Sequence, residues 1–379
     1  MRVLHIANWY PNRWENKEAL FIQEHISALQ QYCHNDTVHI EIRYNPDTVF
    51  RLVKYRISPT EEAYIILTKI KVWRIIEFLY LKTLVWVLIK YKINSRYNLI
   101  NVHIAYPLLT HINILKKIIK VPIVVTEHWT AYHYNFNLPE TTTKLDRIKK
   151  IFSSELPIIT VSKALCNDIK TFSGCFDHSC TVVPNVVNEQ LFYYKEKEKD
   201  KLVFFMINYW RTIKKPFVIL NAFREVLKVY PHAQLRIAGY GPLWDEIIAY
   251  VEEYNLLGNI SLLGKLEKED VAKEMQNCLL FIHSADYETF SVVCAEALMC
   301  GTPVIMTNLA AVAEFINSSN GRLINQGQSW AEAIIEEVKN YSKYQNLAIA
   351  DYAKARFSSK AVGEKYYTYL EELCNEANR

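Results

Sequence analysis

Two α/β domains, each a doubly wound sheet of mostly parallel strands, are predicted by three observations. The chain has 379 residues, about twice the usual length of a domain. Half of its residues are apolar, enough to fill two cores. Short Val- and Ile-rich runs alternate with longer helical patterns from end to end, the mark of repeated βαβ units.

In the first half the strand-like runs are 2–7, 37–43, 98–103, 122–126, 157–161 and 180–184. In the second half they are 202–207, 234–238, 259–263, 278–283 and 303–306. Most are apolar on both faces, as strands covered by helices on each side must be. Helical patterns fall between them at 19–32, 216–229 and 244–254. The charged run from Tyr193 to Lys201 carries no core pattern and precedes a fresh strand, so it reads as a solvated linker. The expected domains are 1–190 and 191–356, with a closing helix over 357–379. The opening Met1-Arg-Val-Leu-His-Ile-Ala lacks a long apolar stretch and reads as a strand, not a signal peptide.

Charge divides the chain. Residues 1–190 hold 23 Lys and Arg against 16 Asp and Glu; the remainder holds 21 against 24. Within 51–120 the imbalance is 13 to 3. A basic half suits a phosphorylated acceptor, a membrane surface or nucleic acid, or is simply a solvated lysine face. The segment from Lys69 to Lys92 is helical in length, strongly apolar and flanked by lysines. Arg74, Glu77 and Lys82 interrupt it, short of the roughly 20 uninterrupted apolar residues that span a bilayer. A buried core helix, an interfacial helix and a spanning helix all remain open. The eight cysteines form no C-x-x-C pair and no zinc spacing. Those inside apolar runs, such as Cys278 and Cys294, read as buried free thiols of a reducing compartment.

The strongest local pattern is His283-Ser-Ala-Asp-Tyr-Glu288-Thr-Phe-Ser-Val-Val-Cys-Ala-Glu296-Ala-Leu-Met-Cys-Gly301-Thr-Pro. A strand is expected to end near His283 and a helix to begin near Thr289. Glu288 would then stand at a strand's carboxyl end, where open α/β sheets bind ligands. The amides of Thr289, Phe290 and Ser291 could donate to an anion or to hydroxyls. Glu296 follows two turns later, on the same expected helix face. Two such carboxylates suit two polyhydroxyl groups, or are a dipole-stabilised acid and a half-buried neighbour.

This stretch resembles the E-x7-E signature of retaining GT-B glycosyltransferases, specifically glycosyltransferase family 4. Other pieces resemble that family in order: Ile6-Ala-Asn-Trp-Tyr-Pro11, the segment Val182-Val-Pro-Asn185, the turn Arg236-Ile-Ala-Gly239-Tyr-Gly-Pro242 and the closing helix after Arg356. The resemblance implies two Rossmann-like domains facing a cleft, the first for acceptor and the second for donor. It implies transfer of a sugar with retention from a UDP- or GDP-sugar to a glycan or lipid-linked hydroxyl, in surface polysaccharide biosynthesis. The nucleotide-sugar is a substrate and no cofactor is expected.

By the same resemblance Glu288 contacts donor-sugar hydroxyls, Glu296 holds the ribose and Glu314 lies near the nucleotide. Gly239 lies in the family's G-x-G-P turn and is carried over as a donor-binding residue. Arg211 and Lys215 resemble the pair that clamps the diphosphate, with Lys214 as a substitute. No Asp-x-Asp occurs in the chain, which favours fixed cations over a metal. His128, after the 122–126 strand, resembles a histidine that reaches the donor sugar; a structural histidine is its alternative, and His103 is a weaker candidate. Ser162 and Lys163 form a V-S-K pattern the family shares, where Ser162 is equally a helix cap.

Three departures stand out. The first loop, from Trp9 to Phe21, has no glycine, and only 9 occur in the chain. Asn16 or Lys17 would then assist the diphosphate. Pro216 and Ser291 stand where the family usually has glycine. A cytoplasmic protein is expected, at the inner face of the membrane if the 69–92 segment is interfacial, with no nucleic-acid partner. The rival readings are a GT-B epimerase or phosphorylase and an inactive GT-B scaffold.

Overall fold

The computed structural model describes every residue except 13–19, 178, 197–200 and 378–379. The expected roles of Asn16 and Lys17 lie outside the described residues. The chain forms two compact units, Met1–Val186 with Ser359–Arg379, and Val187–Ser358.

The first unit is an eight-stranded sheet. Its strands are β1 (Arg2–Ala7), β2 (His34–Tyr44), β3 (Arg51–Ser58), β4 (Glu61–Thr68), β5 (Leu99–His103), β6 (Ile123–Glu127), β7 (Ile158–Thr160) and β8 (Cys180–Val182). They lie in the order β3-β4-β2-β1-β5-β6-β7-β8. All neighbours are parallel except β3 against β4. Sequence reading misses β3 and β4, because no helix separates them from β2 or from each other. Only Pro59 and Thr60 join them, a hairpin where the βαβ template expects a crossover.

Helix α1 (Leu20–Leu29) and the terminal helix Ser359–Ala377 cover the sheet's centre. Val362, Tyr366 and Leu370 pack among Val3, Leu99, Val124 and Ile159. A Cβ on Gly363 would lie 2.4 Å from the Ala28 carbonyl oxygen, so glycine permits this close approach. Helix α2 (Trp73–Lys90) turns Glu77, Tyr80, Leu84, Val87 and Leu88 inward. Of the three readings for this segment, one face of the helix is core. Among the described residues no helix is long and apolar enough to cross a membrane.

The second unit is a six-stranded parallel sheet, ordered β11-β10-β9-β12-β13-β14. The strands are β9 (Val203–Tyr209), β10 (Gln234–Tyr240), β11 (Ile260–Gly264), β12 (Leu280–His283), β13 (Val304–Thr307) and β14 (Gly321–Ile324). Sequence reading finds all but β14, whose four residues include Gly321 and Arg322 and lack a clear apolar run.

The unit boundary falls at Val186 and Val187, ahead of the charged linker expected at 193–201. Val183 and Val186 are buried in the first unit's core. The Val187 amide donates to the Phe357 carbonyl oxygen at 2.8 Å, within the second unit. Apolar packing, not charge, marks the division. Cys278 and Cys294 are buried free thiols. Cys166 and Cys180 form a disulfide across 14 residues, with Cα atoms 6.0 Å apart. Spacing alone does not announce it, because helix and strand packing sets the distance.

Candidate functional site

In the second unit, two loops at the carboxyl edge of the sheet are bonded together. One follows β9: a short turn at Thr212–Lys214, then Lys215 in the left-handed region (φ 42°), then helix Pro216–Val229. Pro216 takes the first helical position, where its missing N–H costs nothing. The other loop follows β12. The Ser284 hydroxyl donates to the Lys214 and Lys215 carbonyl oxygens at 2.9 and 3.0 Å. The Asp286 amide donates to the Ile213 carbonyl oxygen at 2.9 Å.

This zipping brings a cation, a histidine and a carboxylate together. Lys214 Nζ lies 2.5 Å from Glu288 Oε1. His283 Nε2 lies 2.8 Å from the same oxygen, and its Nδ1 lies 3.0 Å from Asn208 Nδ2. These partners fit one tautomer: Asn208 donates to Nδ1, and Nε2–H donates to Glu288. Burial alone would raise the Glu288 pKa, but the Lys214 charge and the His283 hydrogen bond outweigh it and hold the carboxyl down at about 2. Burial lowers the His283 pKa despite Glu288. Glu288 is therefore a fixed anion beside a neutral imidazole.

The cation against Glu288 is thus Lys214, the substitute in the sequence reading. Lys215 pairs instead with Asp286 at 2.5 Å, both about half exposed. The Arg211 guanidinium lies over the Tyr209 ring, 5.0 Å from its centroid. The one-residue phase at this turn decides which side chain faces the strand end, and a sequence does not fix that phase.

The helix after Glu288 begins at Val292, not near Thr289. Ser291 precedes it at φ 73°, the left-handed region, which an α-helix cannot include. Glu288 and Glu296 therefore do not share a helix face: Glu288 belongs to a loop and Glu296 to the helix Val292–Met299. Ser291 does adopt the backbone that glycine favours, in keeping with the family pattern. Phe290 is buried against Phe315 and Phe357, with ring centroids 5.2 and 5.4 Å away. Its side chain anchors the loop, leaving only its backbone for a ligand. Thr289 is half-buried in the same loop.

Glu296 is buried, with Lys268 Nζ at 3.5 Å. Glu314 closes a short turn beside Phe315, and its carbonyl oxygen accepts from Arg356 at 3.3 Å. Gly239 has φ 121°, and a Cβ there would sit 2.0 Å from the Asn208 carbonyl oxygen. Glycine at this position lets β10 approach the end of β9, and so places Asn208 under His283.

In the first unit, His128 follows β6 and is buried beside Phe21, His25 and His103, with ring centroids at 4.8, 5.2 and 6.0 Å. Among the described residues neither ring nitrogen has a hydrogen-bond partner. Burial, reinforced by His25, holds its pKa well below 6.5, against the opposing side chain of Asn185. His103, which sequence reading ranks second, belongs to the same cluster. Its Nε2 is 3.1 Å from His5 Nδ1, and His5 Nε2 is 3.1 Å from Asn35 Oδ1. The acceptor Asn35 fixes each donor in this chain and leaves His103 Nδ1 without a proton and, among the described residues, without a partner.

Four buried histidines, from β1, α1, β5 and the end of β6, thus meet in one place. Sequence reading names two of them; His5 and His25 carry no local signal, since only the sheet order brings them near. Among the described residues no group of three or more His, Cys, Asp or Glu is arranged to hold a metal ion. Glu127 is also buried; burial raises its pKa to about 7, against hydrogen bonds from Tyr132 and the Ala105 amide. Ser162 Oγ accepts from the Leu165 amide at 3.0 Å, so its capping alternative is what the structure contains. Lys163 opens that helix.

Two family signatures match the chain. The one described as Glycosyl transferases group 1 covers residues 187–354, and the one described as Glycosyltransferase Family 4 covers 44–191. N-acetyl-alpha-D-glucosaminyl L-malate synthase of Bacillus anthracis is 22% identical over 300 residues, 74% of this chain and 76% of that protein. Poly(glycerol-phosphate) alpha-glucosyltransferase of Bacillus subtilis is 26% identical over 212 residues, 53% of this chain but 31% of that protein. The sucrose-phosphate synthase structure from Thermosynechococcus elongatus superposes with a TM-score of 0.75 at 18% identity, covering 99% of this chain and all of that one.

Proposed function

Since the chain belongs to the GT-B glycosyltransferases of the family 4 type, we propose that it transfers a sugar, with retention, from a UDP- or GDP-sugar to a hydroxyl of a glycan or lipid-linked acceptor. The observation that carries this reading is the Lys214–Glu288–His283 cluster where β9 and β12 end, its histidine buried and its lysine and glutamate half-buried. An ionised carboxylate accepts hydrogen bonds from sugar hydroxyls, and a neighbouring ammonium neutralises phosphate oxygen.

In the proposed reaction the bond between the anomeric carbon and the phosphate oxygen breaks, and a bond to the acceptor oxygen forms on the same face. The acceptor's proton passes to the departing phosphate, so no redox partner is needed. Glu288, kept anionic by Lys214, orients the sugar. Lys214 then turns its charge toward the diphosphate as the donor enters. His283, held by Asn208, keeps Glu288 in place after the lysine leaves. Glu296 serves the ribose, Glu314 the nucleotide end, and Arg211 and Lys215 the outer phosphate oxygens. His128 serves the reacting sugar. The diphosphate is neutralised by these side chains and not by a metal.

The acceptor is proposed to be a surface polysaccharide or its lipid-linked precursor, held by the basic first unit. The exposed face of the 69–92 segment gives peripheral contact with a membrane. The test is thermal unfolding of the full chain against a panel of UDP- and GDP-sugars. A true donor raises the midpoint by mass action. Glu288→Gln should fold normally and reduce that rise to the one its bare nucleoside diphosphate gives. A donor converted to an isomer without acceptor would replace transfer with epimerisation.

A further inference from the structure

Helix α2 is apolar nearly all round, yet only one face is covered. Glu77, Tyr80, Leu84, Val87 and Leu88 are buried. Ile75, Phe78, Trp86 and Ile89 are 41 to 66% exposed. Their spacing, with Lys82 between them, traces a single stripe along the helix. A helix apolar on every side is normally enclosed, and large exposed apolar stripes mark contact surfaces.

The stripe continues onto the sheet's edge. Trp86 packs edge-on against Tyr64 of β4 with centroids 5.3 Å apart, and Lys54 of the edge strand β3 lies over the same ring. Lys54 and Leu52 share one face of β3 by strand alternation, and Leu52 is exposed. At the other end of the helix, Val49, Phe50 and Val72 are each more than half exposed.

Basic residues frame this surface. Arg51, Lys54, Arg56, Lys71, Arg74 and Lys82 are all exposed. The acids of the same elements are turned in or consumed. Glu77 is buried on Arg147 at 2.8 Å. Glu61 is buried and bonded by the Tyr10 hydroxyl. Glu62 is occupied by Lys90, Tyr64 and Tyr91 and also lies 3.5 Å from Lys54 and 3.9 Å from Arg56, one carboxylate shared among three cations. The outward field is therefore positive around an apolar centre.

We propose that this face, the outer stripe of α2 with the edge strand β3, docks on an anionic lipid bilayer. The apolar stripe enters the acyl boundary while the lysines and arginines meet lipid phosphates. Charge selects the bilayer over a second copy, because two identical basic faces repel. The inference deepens the membrane contact proposed above and is independent of donor binding.

The test is sedimentation of the full chain with vesicles of phosphatidylcholine, with and without 30 mol% (about a third) phosphatidylglycerol, at about 0.15 M salt. Binding should be at least tenfold tighter to the anionic vesicles. Phe78→Ser with Ile89→Ser, both exposed, should weaken it at least tenfold without lowering the unfolding midpoint, as should Lys71→Glu with Lys82→Glu. Equal binding to both vesicle types, or unchanged binding by either double variant, overturns the proposal. So does a parent dimer that the Phe78/Ile89 variant converts to monomer, which assigns the face to a second copy. In every case donor stabilisation of the chain should persist; its loss would count against the transferase reading instead.

Discussion

At the scale of single residues, the pairing of Lys214 with Glu288 is the sharpest departure from expectation. Lys214→Ala should lower transfer about a hundredfold or more, the range for losing a charge-stabilising group, whereas Lys215→Ala should cost less, its ammonium being half exposed and bound to Asp286. Initial rates with saturating donor separate the two. Ser291 offers a stability test. It holds φ 73° without being glycine, a strain of about 1 kcal/mol or more. Ser291→Gly should raise the second unit's stability by roughly 1 kcal/mol in urea unfolding, and a β-branched residue there should lower it. Glu288 was legible in the sequence because its motif is local. The choice among Arg211, Lys214 and Lys215 was not, because it depends on a left-handed turn at Lys215.

At the scale of elements, the terminal helix places a buried tyrosine hydroxyl against the first sheet inside an apolar seam. The Tyr366 hydroxyl bonds Thr126 Oγ1 at 2.6 Å and also meets Asn101 Nδ2. Tyr366→Phe keeps the ring and leaves Thr126 and Asn101 bonded to each other at 2.9 Å, so it loses the hydroxyl's own hydrogen bonds, about 0.5–1.5 kcal/mol. The unfolding midpoint of the first unit should fall accordingly. The strands read correctly from sequence are those whose residues are apolar on both faces. Strands β3 and β4 escaped because a hairpin breaks the alternation of strand and helix. The start of helix Val292–Met299 escaped because a serine adopting glycine's backbone leaves no trace in composition.

At the scale of the whole molecule, the buried histidines set an acid limit. Burial brings His5 and His25 down to about 4, and His103 and His128 well below 6.5. The unfolded chain takes up these protons from pH 6.5 downward, and the folded chain does not until it is more acid still. Stability is therefore full above about pH 6.5 and is lost as the pH falls toward 4. Glu127 opposes this, since its raised pKa makes the fold bind a proton between 4.5 and about 7. Burial raises the Glu77 pKa as well, against the Arg147 hydrogen bond, and two carboxyls against four histidines leave acid destabilisation dominant. The first unit should lose tertiary structure between pH 6 and 4, visible in near-ultraviolet circular dichroism, ahead of the second unit. No single stretch of sequence reports this, because the four rings come from four separate elements.

The central claim is that Glu288 and Lys214 exchange each other for the sugar and phosphate of a nucleotide-sugar. Its most direct measurement is calorimetric titration of UDP- and GDP-sugars into the parent chain, Glu288→Gln and Lys214→Ala, each first shown to be folded. The parent should bind at least one donor, Glu288→Gln should lose discrimination between that donor and its bare nucleoside diphosphate, and Lys214→Ala should lose affinity for both. Binding of donor and nucleoside diphosphate that is the same in all three proteins would contradict the claim.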